Sequence, residues 1–218
     1  MKIRMEITYK TPKGTETVFI SDEMNPEKAL LLAEDLERTG RVKNMIFYDN
    51  HDTTWMFKEL KKYVNSVEME PHNIVVFFDG GFDVESKKSG LGCVIYYEQD
   101  GKQHRIRKNA QVDELNTNGE AEYAALHLAI GELELLGVHH LPVSFTGDSQ
   151  GVINQLKDEW PCYEEELLRW IDRIEQKLES LGLSPEYKLV PRKHNKEADH
   201  LATQALQGVE IFSNSVVE

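Results

Sequence analysis

Four acidic side chains stand at positions that solvation alone does not explain. Asp79 follows the apolar run Ile74-Val-Val-Phe-Phe78 and precedes Gly80-Gly81. A charge at the end of a buried strand is costly unless it is paired or bound to a metal. A turn aspartate before two glycines is the plainer account. Glu122 lies in Ala121-Glu-Tyr-Ala-Ala-Leu126, near a helix start, where a glutamate also suits the helix dipole. Its neighbour Glu120 has a simpler role: Thr117-Asn-Gly-Glu120 fits a capping box, with Glu120 reaching back to Thr117. Glu120 and Glu122 face different ways on a helix, so Glu122 is left seeking another partner. Asp148 ends Val143-Ser-Phe-Thr-Gly-Asp148, at the carboxyl end of a strand, where α/β sheets place ligands. It also reads as an acid at the start of the next helix. Asp199, in Asn195-Lys-Glu-Ala-Asp-His-Leu201, sits in the first turn of a last helix, where the dipole favours an acid.

Each signal alone is weak. Three or four carboxylates from separate elements, with no Cys/His cluster of zinc spacing, describe an all-oxygen site for a hard cation such as Mg²⁺ or Mn²⁺. Two such ions held ~3.5–4 Å apart activate a water and stabilise the leaving oxygen of a phosphodiester. They would also supply positive charge that the chain lacks. Its 218 residues carry 38 Asp+Glu against 25 Lys+Arg, a net charge of -13. That balance argues against nucleic-acid binding through bulk charge alone.

The elements that must position these acids fall into two groups. Residues 1–66 read as a small α/β domain. Lys2–Tyr9 alternates as a half-buried strand, Glu16–Ile20 is a second strand, and Ser21 or Asp22 opens a helix that Gly40 stops. A strand over Val42–Tyr48, a short strand over Thr53–Met56 and a helix over Phe57–Val64 follow. Residues 67–73 are polar, contain Pro71 and read as a linker. Residues 74–207 give the order β-β-β-α-β-α-α-β-α, a three-stranded meander followed by helical crossovers. Residues 208–218 read as a loose tail. Ile74–Phe78 reads as a strand buried on both faces.

Composition narrows the rest. Hydrophobic residues make up 40% of the chain, which excludes a disordered polymer. No apolar run is long enough to span a membrane. The charged start MKIRMEITYK lacks the core of a signal peptide, and Cys93 and Cys162 are too few for a disulfide scaffold or structural zinc. A cytoplasmic location with reduced thiols is the expectation.

With these residues in place, the sequence is similar to the ribonuclease H type I family. The resemblance rests on Phe77-Phe-Asp79-Gly-Gly81, Thr117-Asn-Gly-Glu-Ala-Glu122-Tyr-Ala-Ala-Leu126, Thr146-Gly-Asp148-Ser-Gln150 and Val190-Pro-Arg-Lys-His-Asn-Lys-Glu-Ala-Asp199-His-Leu-Ala202, in that order. It covers Ile74 to Gln207. It implies a five-stranded mixed sheet flanked by helices and a two-metal hydrolase that cuts the RNA strand of RNA–DNA hybrids. Asp79 would bridge both Mg²⁺ or Mn²⁺ ions, Glu122 and Asp148 would hold the ion near the leaving oxygen, and Asp199 would help place the ion that activates water. His194 would assist product release. Gly80 and Gly81 would let the backbone approach the RNA, and Asn118 and Gln150 would contact nucleic acid.

Some features depart from that family. Gly119 and Glu120 stand where many members have an asparagine and a basic or neutral residue, so Glu120 would repel the nucleic-acid backbone. Ile74 to Leu206 holds 14 Lys+Arg against 23 Asp+Glu, a net charge of -9. Basic sets at Lys87-Lys88, Arg105-Ile-Arg107-Lys108, and Arg192-Lys193 with Lys196 offer either a substrate track or a solvated face. Residues 1–65 balance at 11 of each sign. That domain reads as a hybrid-holding module, with Trp55 and Phe57 stacking on bases or packed in a core, or as a dimerisation or partner-binding domain. Two other functions stay open: a catalytically weak binding protein on the same scaffold, and an exonuclease of the same broad fold. The exonuclease ranks lower because Gly80-Gly81 follow Asp79 where a second acid is usual.

Overall fold

The computed structural model describes residues 1–217, in two compact units, one of Met1–Met69 and one from Glu70 onward. The first unit runs β1 (Ile3–Lys10), β2 (Glu16–Ile20), α1 (Pro26–Arg38), β3 (Val42–Asp49), β4 (Thr54–Trp55) and α2 (Phe57–Met69). Its antiparallel sheet has the order β2-β1-β3-β4. The alternation in β1 sends Ile3, Met5 and Ile7 into a core with Ala29, Leu30 and Ala33 of α1 and Leu60 and Val64 of α2. The cap of α1 is Asn25, whose Oδ1 accepts from the Lys28 N–H at 3.2 Å, not Ser21 or Asp22. Pro26 at the first helical position already has the φ the helix needs. Trp55 and Phe57 pack against this core, with Trp55 Nε1 donating to Asp49 at 3.1 Å.

The second unit runs β5 (His72–Asp83), β6 (Lys88–Gln99), β7 (Lys102–Val112), α3 (Asn118–Leu135), β8 (Pro142–Gly147), α4 (Gln150–Leu156), α5 (Glu165–Leu181) and β9 (Ser184–Leu189). A 3-10 turn (Arg192–His194), α6 (Lys196–Leu206) and β10 (Phe212–Val216) complete it. The sheet order is β10-β7-β6-β5-β8-β9, with β8 parallel to both β5 and β9 and the remaining pairs antiparallel. The mixed five-stranded sheet flanked by helices is therefore present, with a sixth strand on its edge.

Three expectations are corrected here. Residues 67–69 are helix and residues 72–73 are strand, so no linker of the expected length exists. Val67 continues the apolar spacing of Leu60, Tyr63 and Val64, which carries α2 onward. The tail is not loose, because Phe212–Val216 pairs with His104–Lys108 and satisfies the open edge of β7. Ile74, Val76 and Phe78 are buried, while Val75 and Phe77 on the other face are only half-buried.

Helices lie on both faces of this sheet and touch it through glycines. A Cβ on Gly80 would fall 2.2 Å from the carbonyl carbon and oxygen of Ala121 in α3. On Gly92 it would fall 2.3 Å from the Ala198 carbonyl oxygen of α6, and on Gly90 2.1 Å from that of Ala202. Any side chain there would force backbone apart. The small residues Ala198, Ala202 and Ala205 form the buried face of α6.

Polar clamps hold α6 and the tail. The fully buried Asn109 donates from Nδ2 to the Leu201 carbonyl at 3.0 Å and the Val209 carbonyl at 2.9 Å. Its Oδ1 accepts from the Ile211 N–H at 2.7 Å. Glu197 accepts from Tyr96 Oη at 2.9 Å and pairs with Arg105 at 3.3 Å and Arg107 at 3.0 Å.

Two outcomes follow from this packing. Asn109→Ala removes three hydrogen bonds to the backbone, one buried and two part-buried, and should cost about 1–3 kcal/mol of stability. Hydrogen exchange should show β10 amides losing protection ahead of β5 amides. Gly92→Ala should cost about 1–3 kcal/mol through overpacking, read by urea unfolding, whereas Gly151→Ala, with open space around it, should be close to neutral.

Candidate active site

The four acids converge because their backbones are seated on one another. Asp79 directly precedes Gly80, which touches the peptide joining Ala121 to Glu122. The Gly80 backbone amide acts to lower the Glu122 carboxyl, against the larger raising effect of burial. Asp79 also pairs with Gly92 across β5 and β6, and Gly92 seats α6 at Ala198, one residue before Asp199. Asp148 follows the end of β8, whose Thr146 lies opposite Phe77 on parallel β5, so Asp148 and Asp79 leave the sheet side by side.

The cluster is buried and electrostatically coupled. Asp79 is 9% exposed and Glu122 6% exposed. Burial first, then the charges of Asp148 and Asp199 and a hydrogen bond shared with Asp148, push the Asp79 carboxyl up to about 8. Burial, then Asp79 and Asp148, push Glu122 up to about 9. The nearby guanidinium of Arg192 opposes both shifts.

Two side chains outside the acid set organise it. Asn195, fully buried, donates from Nδ2 to the Phe78 carbonyl at 2.9 Å and to Asp148 Oδ1 at 2.8 Å, tying the loop before α6 to β5 and aiming Asp148. Arg192 Nη2 pairs with Asp199 Oδ1 at 2.7 Å. Sequence reasoning placed both residues in a motif without these roles. An asparagine before a helix reads as a cap, yet Asn195 makes no side-chain capping bond. The seats at Gly80 and Gly92 were also missed, although Ala121 in α3 and the alanines spaced along α6 were their signals.

The remaining expected site residues lie around this pocket. Gly81 is half-buried beside Leu206. Asn118 is exposed at the start of α3, its Oδ1 accepting from the Phe82 N–H at 3.3 Å. Gln150 is exposed at the start of α4. His194 is exposed and lines a cavity of about 280 Å³ with Phe77, Tyr96 and Asn195. Glu120 does not face the surface. It is 7% exposed, and its carboxylate accepts from the Thr117 hydroxyl at 3.4 Å, as the capping box expected, and also from the Asn116 N–H at 2.9 Å, while its own N–H donates to Thr117 Oγ1 at 3.1 Å. The pairing of Arg105 and Arg107 with Glu197 also ties up two cations of the expected basic track.

Among the described residues no three His, Cys, Asp or Glu side chains stand in ligating geometry. Asp199 is drawn to Arg192 and Asp148 to Asn195. The donor chemistry nonetheless fits a hard divalent ion. All the donors are carboxylate oxygens, and Glu122 Oε2 is buried without a hydrogen-bond partner. No helix among the described residues is long and apolar enough to cross a membrane.

Comparisons with known proteins bear on the family and the fold. A family model described as reverse transcriptase-like matches residues 77–205. An uncharacterised Bacillus subtilis (strain 168) protein, YpeP, is 44% identical over 220 residues, spanning 100% of this chain and 96% of its own. Among solved structures, RNase H1 from the halophilic archaeon Halobacterium salinarum NRC-1 is similar at 28% identity and a TM-score of 0.55, over 62% of this chain and 98% of that one. LC11-RNase H1 in complex with an RNA/DNA hybrid is similar at 26% identity and a TM-score of 0.53, over 62% and 98%. The solved structures thus cover a little under two thirds of the chain, whereas YpeP covers all of it. The chain belongs to the reverse transcriptase-like family, and its second unit has the ribonuclease H type I fold.

Proposed function

We propose that the chain is a metal-dependent endoribonuclease that hydrolyses the RNA strand of RNA–DNA hybrids. The observation that carries this reading is the gathering of Glu122, Asp148 and Asp199 about Asp79 of β5, with two of the carboxyls pushed far above the usual range. The ribonuclease H fold and the likeness to a relative solved with a hybrid support the substrate class.

Asp79, Glu122, Asp148 and Asp199 would hold two Mg²⁺ or Mn²⁺ ions, which supply Lewis acidity for activating water and stabilising a leaving oxygen. The chain's own part is positioning. The buried Glu122 Oε2 is free of hydrogen bonds. Asn195 fixes the direction of Asp148. Asp79 and Glu122 must lose their protons when an ion arrives. Asn118, Gln150 and Gly81 would border the path for the hybrid, whose A-like shape and 2′-hydroxyls would be read there, whereas Gly80 is buried against α3 and does not face that path. His194, on its exposed turn, is placed to meet product leaving the site.

The test is cleavage of a labelled hybrid by the purified chain in Mn²⁺ or Mg²⁺. Asp79→Asn should lower the rate at least about a hundredfold with the fold retained. Full activity of that variant would remove the mechanism. Turnover near background by the native chain, with hybrid binding kept, would favour the catalytically weak reading. Cutting of a circular hybrid separates an endonuclease from an exonuclease.

A second prediction concerns pH. Carboxyls whose pKa is raised on folding add stability that is fully present below the ordinary carboxylate range and is lost as pH rises through about 8 and 9. The ion-free chain should therefore melt at a lower temperature at pH 9 than at pH 6. Mn²⁺ should restore more stability at the higher pH. Calorimetry in buffers of different ionisation enthalpy should show proton release on Mn²⁺ binding at pH 7.

A further inference from the structure

The Arg192 guanidinium stands where the acid cluster most needs positive charge. Its Nη2 lies 2.7 Å from Asp199 Oδ1. Its charge acts on Asp79 and Glu122 as well, and Asp199, Asp79 and Asp148 in turn hold its own proton more tightly. The side chain is 79% exposed, so the contact with Asp199 is its main tether. The short 3-10 turn Arg192–His194 carries it at the lip of the pocket, next to the buried anchor Asn195. The other nearby cations are differently engaged. Arg105 and Arg107 serve Glu197, and Lys193 and Lys196 form no ion pair with the cluster.

Resting on the metal-dependent reading above, we infer that Arg192 is a built-in counter-cation that occupies the Asp199 side of the cluster and must withdraw before a second divalent ion binds there. The argument is electrostatic. Asp199 cannot offer the same lone pair to a guanidinium and to an ion. A divalent ion beside Asp199 would also stand close to a like charge. The side facing Asp79, Glu122 and Asp148 carries no such competitor, and one acceptor there, Glu122 Oε2, is already unpartnered. Occupancy is therefore ordered. The first ion enters on the Glu122 side, and the second displaces Arg192 from Asp199. Because the arginine is exposed, it can swing into water without disturbing the core.

Isothermal calorimetry of Mn²⁺ into the full chain, at pH 7 and without nucleic acid, reads this directly. The native chain should bind one ion more tightly than the second. Arg192→Gln should tighten the weaker event by about tenfold and leave the tighter one nearly unchanged. Arg192→Lys, which keeps the charge, should stay close to the native chain. Melting temperatures of both variants without metal show whether the fold is intact. If Arg192→Gln leaves the weaker event unchanged or weakens it, while Asp79→Asn abolishes binding, the counter-cation is overturned and the metal-dependent reading stands. If neither the native chain nor Arg192→Gln binds Mn²⁺, both are overturned.

Discussion

The site depends on two contacts in which a helix backbone rests directly on a glycine of the sheet. Gly80 admits the peptide between Ala121 and Glu122, and Gly92 admits the carbonyl of Ala198. The two glycines flank Asp79, one as its chain neighbour and the other as its partner across the strands. A helix carried on side chains would stand farther from the sheet, and its acid would fall short of Asp79. Here the closeness of backbone to backbone brings Glu122 from one face and Asp199 from the other to a single point. The clamps on α6 at Asn109, Asn195 and Glu197 keep that seat from sliding.

Gathering four carboxylates in a half-dry pocket is unfavourable, and the fold offsets it in several ways. Two of the acids retain protons in the ion-free chain, because burial and neighbouring charge disfavour ionisation. The Asn195 amide donates to Asp148. Arg192 neutralises Asp199. The result is a cluster that is assembled but under tension, which suits a site that awaits cations. The same economy of positive charge marks the surface. Arg105 and Arg107 turn toward Glu197 in place of a polyanion, so affinity for a nucleic acid must come from bound ions or from elsewhere on the chain.

The first unit is legible in a different sense. Alternating residues in β1 and helical spacing in α1 and α2 were enough to forecast an α/β layer, because local periodicity dictates which face is buried. Its packing draws Trp55 and Phe57 against the core and ties Trp55 to Asp49, leaving those aromatics a structural part.

Much of the second unit could be read from sequence. An acid after an apolar strand, a capping box before a helix, an acid at a strand end and an acid in a first helical turn were each visible, because strand alternation and helix capping are short-range effects. The element order, the mixed sheet and the four acids followed from them. What stayed hidden was long-range. The chain between 208 and 216 has little local signal, yet it becomes a strand because β7 offers an open edge and Asn109 a clamp. Glu120 turned inward to the Asn116 N–H, Asn195 left its cap position for Asp148, and Arg192 found Asp199. Sequence by itself determined which residues are candidates for the chemistry and on which elements they ride. Only the tertiary structure decided how those residues pair, because hydrogen bonds and ion pairs between distant segments depend on the few ångströms that close packing of helix on sheet leaves between them.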